Sequence, residues 1–305
     1  MSKVRNIIKS PVATLLTVAA ILILIVFLIT AFWNGISKFI LPNTQIGLYN
    51  KGFWENFLVE VHGIVFELSI VGVLILWLDS KRNKSNDIQR LKEDLDDYAT
   101  LDFPEINVKK LGHIKRLNQY NIYNINVQNL ILNGLRVKNI TTENSRLIGL
   151  KVVKGTIVDC QFKSMQMRSS DFQESTIKCS SFENCNLLRS KFNGAACKGI
   201  KFSKSTLERA DFTNANLQSS IFKDCDLRGI KLQGANLKHA SFQNSVHLTA
   251  EALSQAKDLD YIKVPEELMN ELISLRSGIK YQKNKAGLEG IEPPDSQQTA
   301  DPHLA

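Results

Sequence analysis

Residues 210–229 read ADFTNANLQSSIFKDCDLRG. Large apolar residues fall at Phe212, Leu217, Phe222 and Leu227, five apart, and a small residue precedes each by two: Ala210, Ala215, Ser220 and Cys225. A period of five matches neither the 3.6-residue turn of a helix nor the two-residue alternation of a strand. It requires a repeat architecture in which each unit places one large and one small side chain inward.

Extending the pattern in both directions defines the repeat segment. From Leu117 to Phe242 every fifth residue is apolar over 26 positions, with Thr142 as the one break when Cys197 is counted as apolar. At 44% hydrophobic content, chance would supply about 11 of these. Phe162, Phe172, Phe182, Phe192, Phe202, Phe212 and Phe222 recur every ten residues, followed by Phe242. If four five-residue sides close one 20-residue coil, Phe162, Phe182, Phe202, Phe222 and Phe242 stack on one side. Phe172, Phe192 and Phe212 then stack on the opposite side, forming the solenoid core. Such ladders bury aromatic area continuously. The repeats make about six and a half coils, roughly 30 Å tall at about 4.8 Å per strand.

The stretches ADFTNANLQSS, CDLRG and GANLKHASF resemble the pentapeptide-repeat family, whose consensus is A(D/N)LXX. The resemblance covers residues 145–245 closely and residues 117–142 loosely. In the earlier part Tyr120, Ile125, Leu130, Leu135 and Ile140 occupy the small position. It implies a right-handed quadrilateral β-helix, with wider or irregular first coils and a distortion at Thr142. The family implies no single activity. Its soluble members that inhibit DNA gyrase present an acidic, DNA-like surface. Residues 115–245 here hold 20 Lys/Arg against 9 Asp/Glu, so that function does not carry over.

The first 80 residues are of another kind. PVATLLTVAAILILIVFLITAFWNGI, residues 11–36, contains no charge and exceeds the roughly 7–15 apolar residues of a signal-peptide core. NFLVEVHGIVFELSIVGVLILWLDSKR, residues 56–82, is a second span, bracketed by Trp54 and Trp77 and followed by basic residues. The expected fold is therefore two N-terminal transmembrane helices (1–80), a helical stalk and N-terminal cap (81–114) and the all-β solenoid (115–247). A C-terminal helical cap (248–278) and a disordered tail (279–305) complete the chain. Lys3, Arg5 and Lys9 before the first span, and Lys81, Arg82 and Lys84 after the second, place both termini in the bacterial cytoplasm and the protein in the inner membrane.

Three ionisable residues interrupt the second span: Glu60, His62 and Glu67. Glu60 and His62 lie near enough to Trp54 to reach the interface. Glu67 is 13 residues from Trp54 and 10 from Trp77, close to mid-membrane. A carboxylate there should be protonated, paired or facing water. It can serve helix association by hydrogen bonding, or line an ion- or proton-conducting seam in an oligomer.

The linker places Lys84, Ile88, Leu91, Leu95 and Tyr98 on one helical stripe, either packing on the cap or forming a short coiled coil between subunits. Asp102, Pro104 and Glu105 start a capping helix. Thr249 and Pro265 start two helices after the repeats, the second ending at Gly278.

Catalytic chemistry has no visible carrier. The cysteines Cys160, Cys185, Cys197 and Cys225 fall on inward positions, and Cys179 points outward. No metal-ligand spacing, nucleophile motif or phosphate loop is present. The sequence implies a non-enzymatic scaffold with no cofactor, a membrane and a protein as partners, contact with anionic headgroups and a capacity to form homo-oligomers. Nucleic-acid binding is disfavoured, because no exposed aromatics interleave with the basic residues. The competing reading is an oligomeric membrane effector whose solenoid regulates the helices.

Overall fold

The computed structural model describes residues 11–40 and 50–281. The basic N-terminal flank, the loop at 41–49 and the tail from residue 282 lie outside the described residues, and with them the orientation and tail expectations. The chain divides into two compact units at Arg90/Leu91.

In the first unit, helix α1 spans Pro11–Ala31 and a short α2 spans Trp33–Ile40. Helix α3 is continuous over 47 residues, Lys51–Asp97. Among the described residues, α3 is the one helix long and apolar enough to cross a membrane. None of its apolar stretch is buried. The first segment counts as a shorter apolar helix, Leu16–Ala31. The expectation of two membrane-spanning helices is not supported: one helix has the length and composition to cross a membrane, and the first segment is shorter. Two polar contacts tie α1 and α2 to α3. Thr30 Oγ1 lies 3.2 Å from His62 Nε2, and Trp33 Nε1 donates to Glu55 at 3.2 Å.

In the second unit the repeat segment is a right-angled coil of short parallel strands. β1 (Arg136–Lys138), β3 (Thr156–Val158) and β5 (Thr176–Lys178) form one sheet. β2 (Thr141–Glu143), β4 (Gln161–Lys163), β6 (Ser181–Glu183), β7 (Lys201–Ser203) and β8 (Ile221–Lys223) form the other. Every pairing joins residues 20 apart, as Phe162 with Phe182 and Val137 with Ile157. Parallel bridges continue the same offset on the two remaining sides, from Asn126–Arg146 to Asp226–Val246 and from Ile131–Lys151 to Asp211–Lys231. Four sides of five residues per coil is therefore the observed closure. The sides are called 1 to 4 below, centred in one coil on Phe162, Met167, Phe172 and Ile177.

Packing explains the period. Phe172, Phe182, Phe192, Phe202, Phe212 and Phe222 have no exposed surface. Rings on one side stack at 4.6–5.3 Å, and rings of opposite sides meet edge-on at 6.0–6.4 Å. Both geometries suit the aromatic quadrupole. The small positions lie beside them, fully enclosed, and several use a hydroxyl to satisfy the coil backbone. Ser205 Oγ, for example, accepts from Cys185 N at 3.0 Å and donates to Ser203 O at 2.9 Å.

The distortion expected at Thr142 is absent. Thr142 is buried in β2 and pairs in register with Phe162. Ile125, Leu130 and Ile140 fill the small positions of the early coils and are buried there, alongside Val127, Leu132 and Val137. Aliphatic centres in place of phenylalanine leave room for a larger residue at the second inward position.

Each corner needs one residue at positive φ, two after the centre. Asn139, Asn144, Asp159, Asn184 and Asn214 serve there, and Gly149 and Gly234 do so without a Cβ penalty. Gly234, at φ +69, lies directly over the Asn214 carboxamide. A Gly234→Ala substitution is expected to cost about 1–2 kcal/mol by the left-handed backbone penalty, before any displacement of Asn214. Chemical denaturation of the two proteins measures it.

Both ends of the solenoid are closed. Helix α4 (Pro104–Gln119) buries Leu111, Ile114 and Leu117 at the first coil and runs beyond the boundary expected at residue 114. Its N-cap is Phe103, which supplies no side-chain bond. Asp102 is not a cap. It accepts from Asn107 at 2.8 Å and from Asn133 at 2.9 Å, tying the cap helix to the coil. Leu91 and Leu95 of α3 are buried, which uses the stripe expected of a stalk inside this unit. Lys110, fully enclosed, donates to Ala99 O at 3.2 Å and Leu101 O at 2.8 Å. Burial pushes its ammonium pKa down, opposed by the charge of Asp102.

At the other end, Thr249 caps α5 (Ala250–Ser254) by accepting from Ala252 N, and Pro265 precedes α6 (Glu266–Leu275). The Arg276 guanidinium donates to the carbonyls of Ser254, Ala256 and Lys257, closing the turn below.

Candidate functional site

Because the solenoid interior is filled, whatever it recognises meets the three outward residues of each side. On side 3 one outward column runs Lys151, Asp171, Lys191, Asp211 and Lys231, each bridged to the next. Lys231 Nζ is 4.0 Å from Asp211. Burial pushes the Asp211 carboxyl up, but Thr213, Asn193 and Lys231 together hold it below the ordinary range. Exposed pairs of this kind are worth about 1 kcal/mol or less each. Their sign alternation nevertheless penalises any slip of one coil, which would set like charges together.

Side 2 differs in chemistry. Five of the six arginines between residues 117 and 247 lie on it: Arg146, Arg168, Arg189, Arg209 and Arg228. All five are exposed, and the side bears no lysine. Sides 1, 3 and 4 carry the twelve lysines. Two carboxylates share side 2. Glu208 lies 3.8 Å from Arg209, and Asp226 binds His247 Nδ1 at 2.9 Å while His247 Nε2 meets Arg228 at 3.1 Å. Burial raises the Asp226 pKa, but His247 and Arg228 outweigh it and hold the carboxyl low. The half-exposed Ile148 and Leu188 stand in one column with Arg168 between them. This segregation escaped the sequence reading, which summed charge along the chain. Indexing the outward residues by their position in a 20-residue coil would have exposed it.

The four inward cysteines are buried, as expected, and Cys179 is exposed. Burial pushes the Cys185 and Cys197 thiols up to about 12 and Cys225 to about 11, and raises Cys160 as well. They are inert thiols at neutral pH. Among the described residues no group of three or more His, Cys, Asp or Glu could hold a metal ion.

In the first unit, His62 faces α1 through Thr30 and donates from Nδ1 to Leu58 O at 2.6 Å. Glu60 and Glu67 are not drawn to it. Both are exposed, as are Asn56 and Gly63, which share their helical face at spacings of three and four.

The family model described as the pentapeptide repeat region matches residues 175–250. Over those residues the chain matches that family, and the four-sided coil of parallel strands carries the same five-residue repeat. Solved structures similar to this chain include a pentapeptide repeat protein, Rfr23, from the cyanobacterium Cyanothece 51142. It is 12% identical, with 43% of this chain and 90% of that chain covered and a TM-score of 0.29. HetL, from the cyanobacterium Nostoc sp. strain PCC 7120, is a pentapeptide repeat protein involved in heterocyst differentiation regulation. It is 15% identical over 50% of this chain and 82% of its own, with a TM-score of 0.29. QnrB1, a plasmid-mediated fluoroquinolone resistance protein, is 14% identical over 48% of this chain and 95% of its own, again with a TM-score of 0.29. No curated protein matches the chain.

Proposed function

We propose that this pentapeptide-repeat protein is a membrane-anchored, non-enzymatic scaffold that displays its solenoid in the cytoplasm for a protein partner. The observation that carries the reading is the combination of an unburied apolar window in α3 with a solenoid whose two ends are capped. Apolar side chains such as Phe57, Phe66, Leu74 and Trp77 are exposed in α3, and water would not favour that surface. Capped ends prevent strand-edge growth and leave the flat sides as the recognition surfaces.

Membrane insertion is tested by fractionation with alkaline carbonate extraction, where release of the full chain into the soluble fraction overturns the anchor. Orientation is tested by labelling a single cysteine placed beyond residue 281 in a background without exposed cysteine. Labelling from outside intact cells overturns cytoplasmic display. Scaffolding is tested by cross-linking from outward positions of the solenoid. A specific partner is expected, and loss of cross-links when the outward charges are neutralised supports recognition by the sides.

The exposure of Glu60 and Glu67 favours a second reading, an oligomeric membrane effector. Carboxyl groups on a lipid-facing helix are costly, and a second copy covering Asn56, Glu60, Gly63 and Glu67 relieves that cost. Overexpression is then expected to depolarise cells, with Glu67→Gln changing the response at least severalfold. An unchanged membrane potential with both proteins sinks this reading.

A further inference from the structure

We propose that side 3 of the solenoid is the contact face for a second copy of this chain, the two copies related by a two-fold axis running across the coils. The inference is independent of the membrane reading of α3.

Two copies of a basic solenoid repel one another unless the faces that meet carry both signs. Side 2 bears five arginines against Glu208 and Asp226, and side 4 bears Arg136 and four lysines against Asp159. Side 3 is close to balanced, with four lysines against Asp171, Glu174 and Asp211. Its signs are also ordered. The column Lys151, Asp171, Lys191, Asp211 and Lys231 changes sign at every coil. Its lysines are exposed and its two aspartates half-exposed.

Within one chain this order sets opposite charges about 4.8 Å apart. It is also self-complementary between copies. About a two-fold axis running across the coils, each residue meets its own column with the coil order reversed. With the axis between the coils of Asp171 and Lys191, Lys151 meets the partner's Asp211 and Asp171 meets the partner's Lys191. Symmetry repeats both contacts, giving four opposite-charge pairs. A shift of one coil sets lysine on lysine and aspartate on aspartate. A shift of two coils reduces the facing coils from the six centred on Leu132 to Leu232 to four.

The rest of the face fits the same register. The neighbouring column, Asn133 to Gln233, is uncharged, and Gln173 meets the partner's Asn193, an amide pair able to exchange hydrogen bonds. The corner glycines Gly134, Gly194 and Gly234 add no side chain that would hold the faces apart. Side 1 also alternates at Glu143, Lys163 and Glu183, but Ser203 interrupts it, and no such register gives it more than two pairs.

The face is at most about 17 Å wide and about 29 Å tall, so each copy buries about 490 Å² or less. A standard stable interface buries about 800 Å² per partner. The contact is therefore concentration-dependent and weakens as salt rises. An axis across the coils turns side 2 of both copies in one direction, so pairing doubles the arginine surface open to a partner.

The test uses the full chain with Cys179→Ser, which removes the one exposed thiol, carrying either Val153→Cys or Thr213→Cys. In the proposed register residue 153 of one copy meets residue 213 of the other, about 10 Å away at the spacing of packed sheets. Two copies of residue 153 lie three coils apart, about 17 Å. A bifunctional thiol reagent spanning about 10 Å is expected to join the mixed variants about tenfold more than either variant alone. Adding Lys191→Asp to both is expected to lower that yield about tenfold, because Asp171 then meets aspartate. Adding Asp171→Lys as well is expected to restore it to within about twofold, since the exchanged residues again meet opposite charges across the contact. Within one chain both charge variants leave two like-charged neighbours in the column, so a role confined to the chain predicts no restoration. Thermal unfolding checks that each variant folds, and the comparison of mixed with single variants needs no charge change. The proposal is overturned by equal yields from mixed and single variants, by cross-links only to lipid or to another protein, by an unaltered yield with Lys191→Asp, or by no restoration in the double exchange.

Discussion

Phe192→Ala is expected to destabilise the solenoid by about 3–5 kcal/mol, the cost of deleting a fully buried aromatic ring. Phe192 stacks between Phe172 at 4.9 Å and Phe212 at 4.6 Å, and meets Phe182 and Phe202 edge-on. Its removal opens a cavity in the middle of the tube, where the coils above and below are held apart by their own hydrogen bonds. The backbone cannot collapse into the gap without breaking a ladder, so relaxation recovers little. Phe192→Leu keeps most of the volume and places a residue that other centres, such as Leu187 and Leu207, already use. It is expected to cost about 1 kcal/mol. Chemical denaturation followed by the loss of β-sheet circular dichroism measures both. Equal effects of Ala and Leu would mean that the aromatic ladder does not set the stability.

Alkaline pH is expected to unfold the solenoid through its buried thiols. Below pH 9.0 the thiols keep their protons whether the chain is folded or not. Above it the unfolded chain ionises them, while the folded chain does so only near 12 for Cys185 and Cys197 and near 11 for Cys225. Unfolding then releases protons, so stability falls as pH rises through this window. By linkage each thiol removes about 1.4 kcal/mol per pH unit, and the three together about 8 kcal/mol by pH 11. That is comparable with the whole stability of an ordinary domain, about 5–15 kcal/mol. Lys110 acts in the opposite direction. Its lowered pKa makes folding easier as pH rises toward 10.5, which offsets a part. Cys185→Ala/Cys197→Val/Cys225→Ala is expected to move the alkaline midpoint upward by about one pH unit, with small inward side chains retained. An unchanged midpoint would mean that the thiols are accessible in the folded chain.

The repeat was legible because inward residues obey a packing rule that composition cannot imitate. Phe212, Ala215, Leu217 and Ser220 have to alternate in size if a narrow tube is to close, and the interval between phenylalanines reveals the four-sided coil. The capping residues were half legible. Thr249 behaves as its type implies. Asp102 instead accepts from Asn107 and from Asn133, 31 positions away, and Phe103 takes the N-cap position. The stripe at Leu91 and Leu95 was compatible with packing on the cap or with a coiled coil between subunits, and both leucines are buried within their own unit.

The sequence by itself determined the coil length, the inward ladder and the apolar character of the first segments, since each follows from hydrophobic burial along the chain. Only the tertiary structure decided that Thr142 keeps the register, that Lys110 is enclosed, that Glu60 and Glu67 remain uncovered, and that the arginines share a side with two carboxylates and two aliphatic residues. Outward side chains escape the packing rule, and their meaning comes from neighbours that are 20 residues away in sequence and one coil away in space.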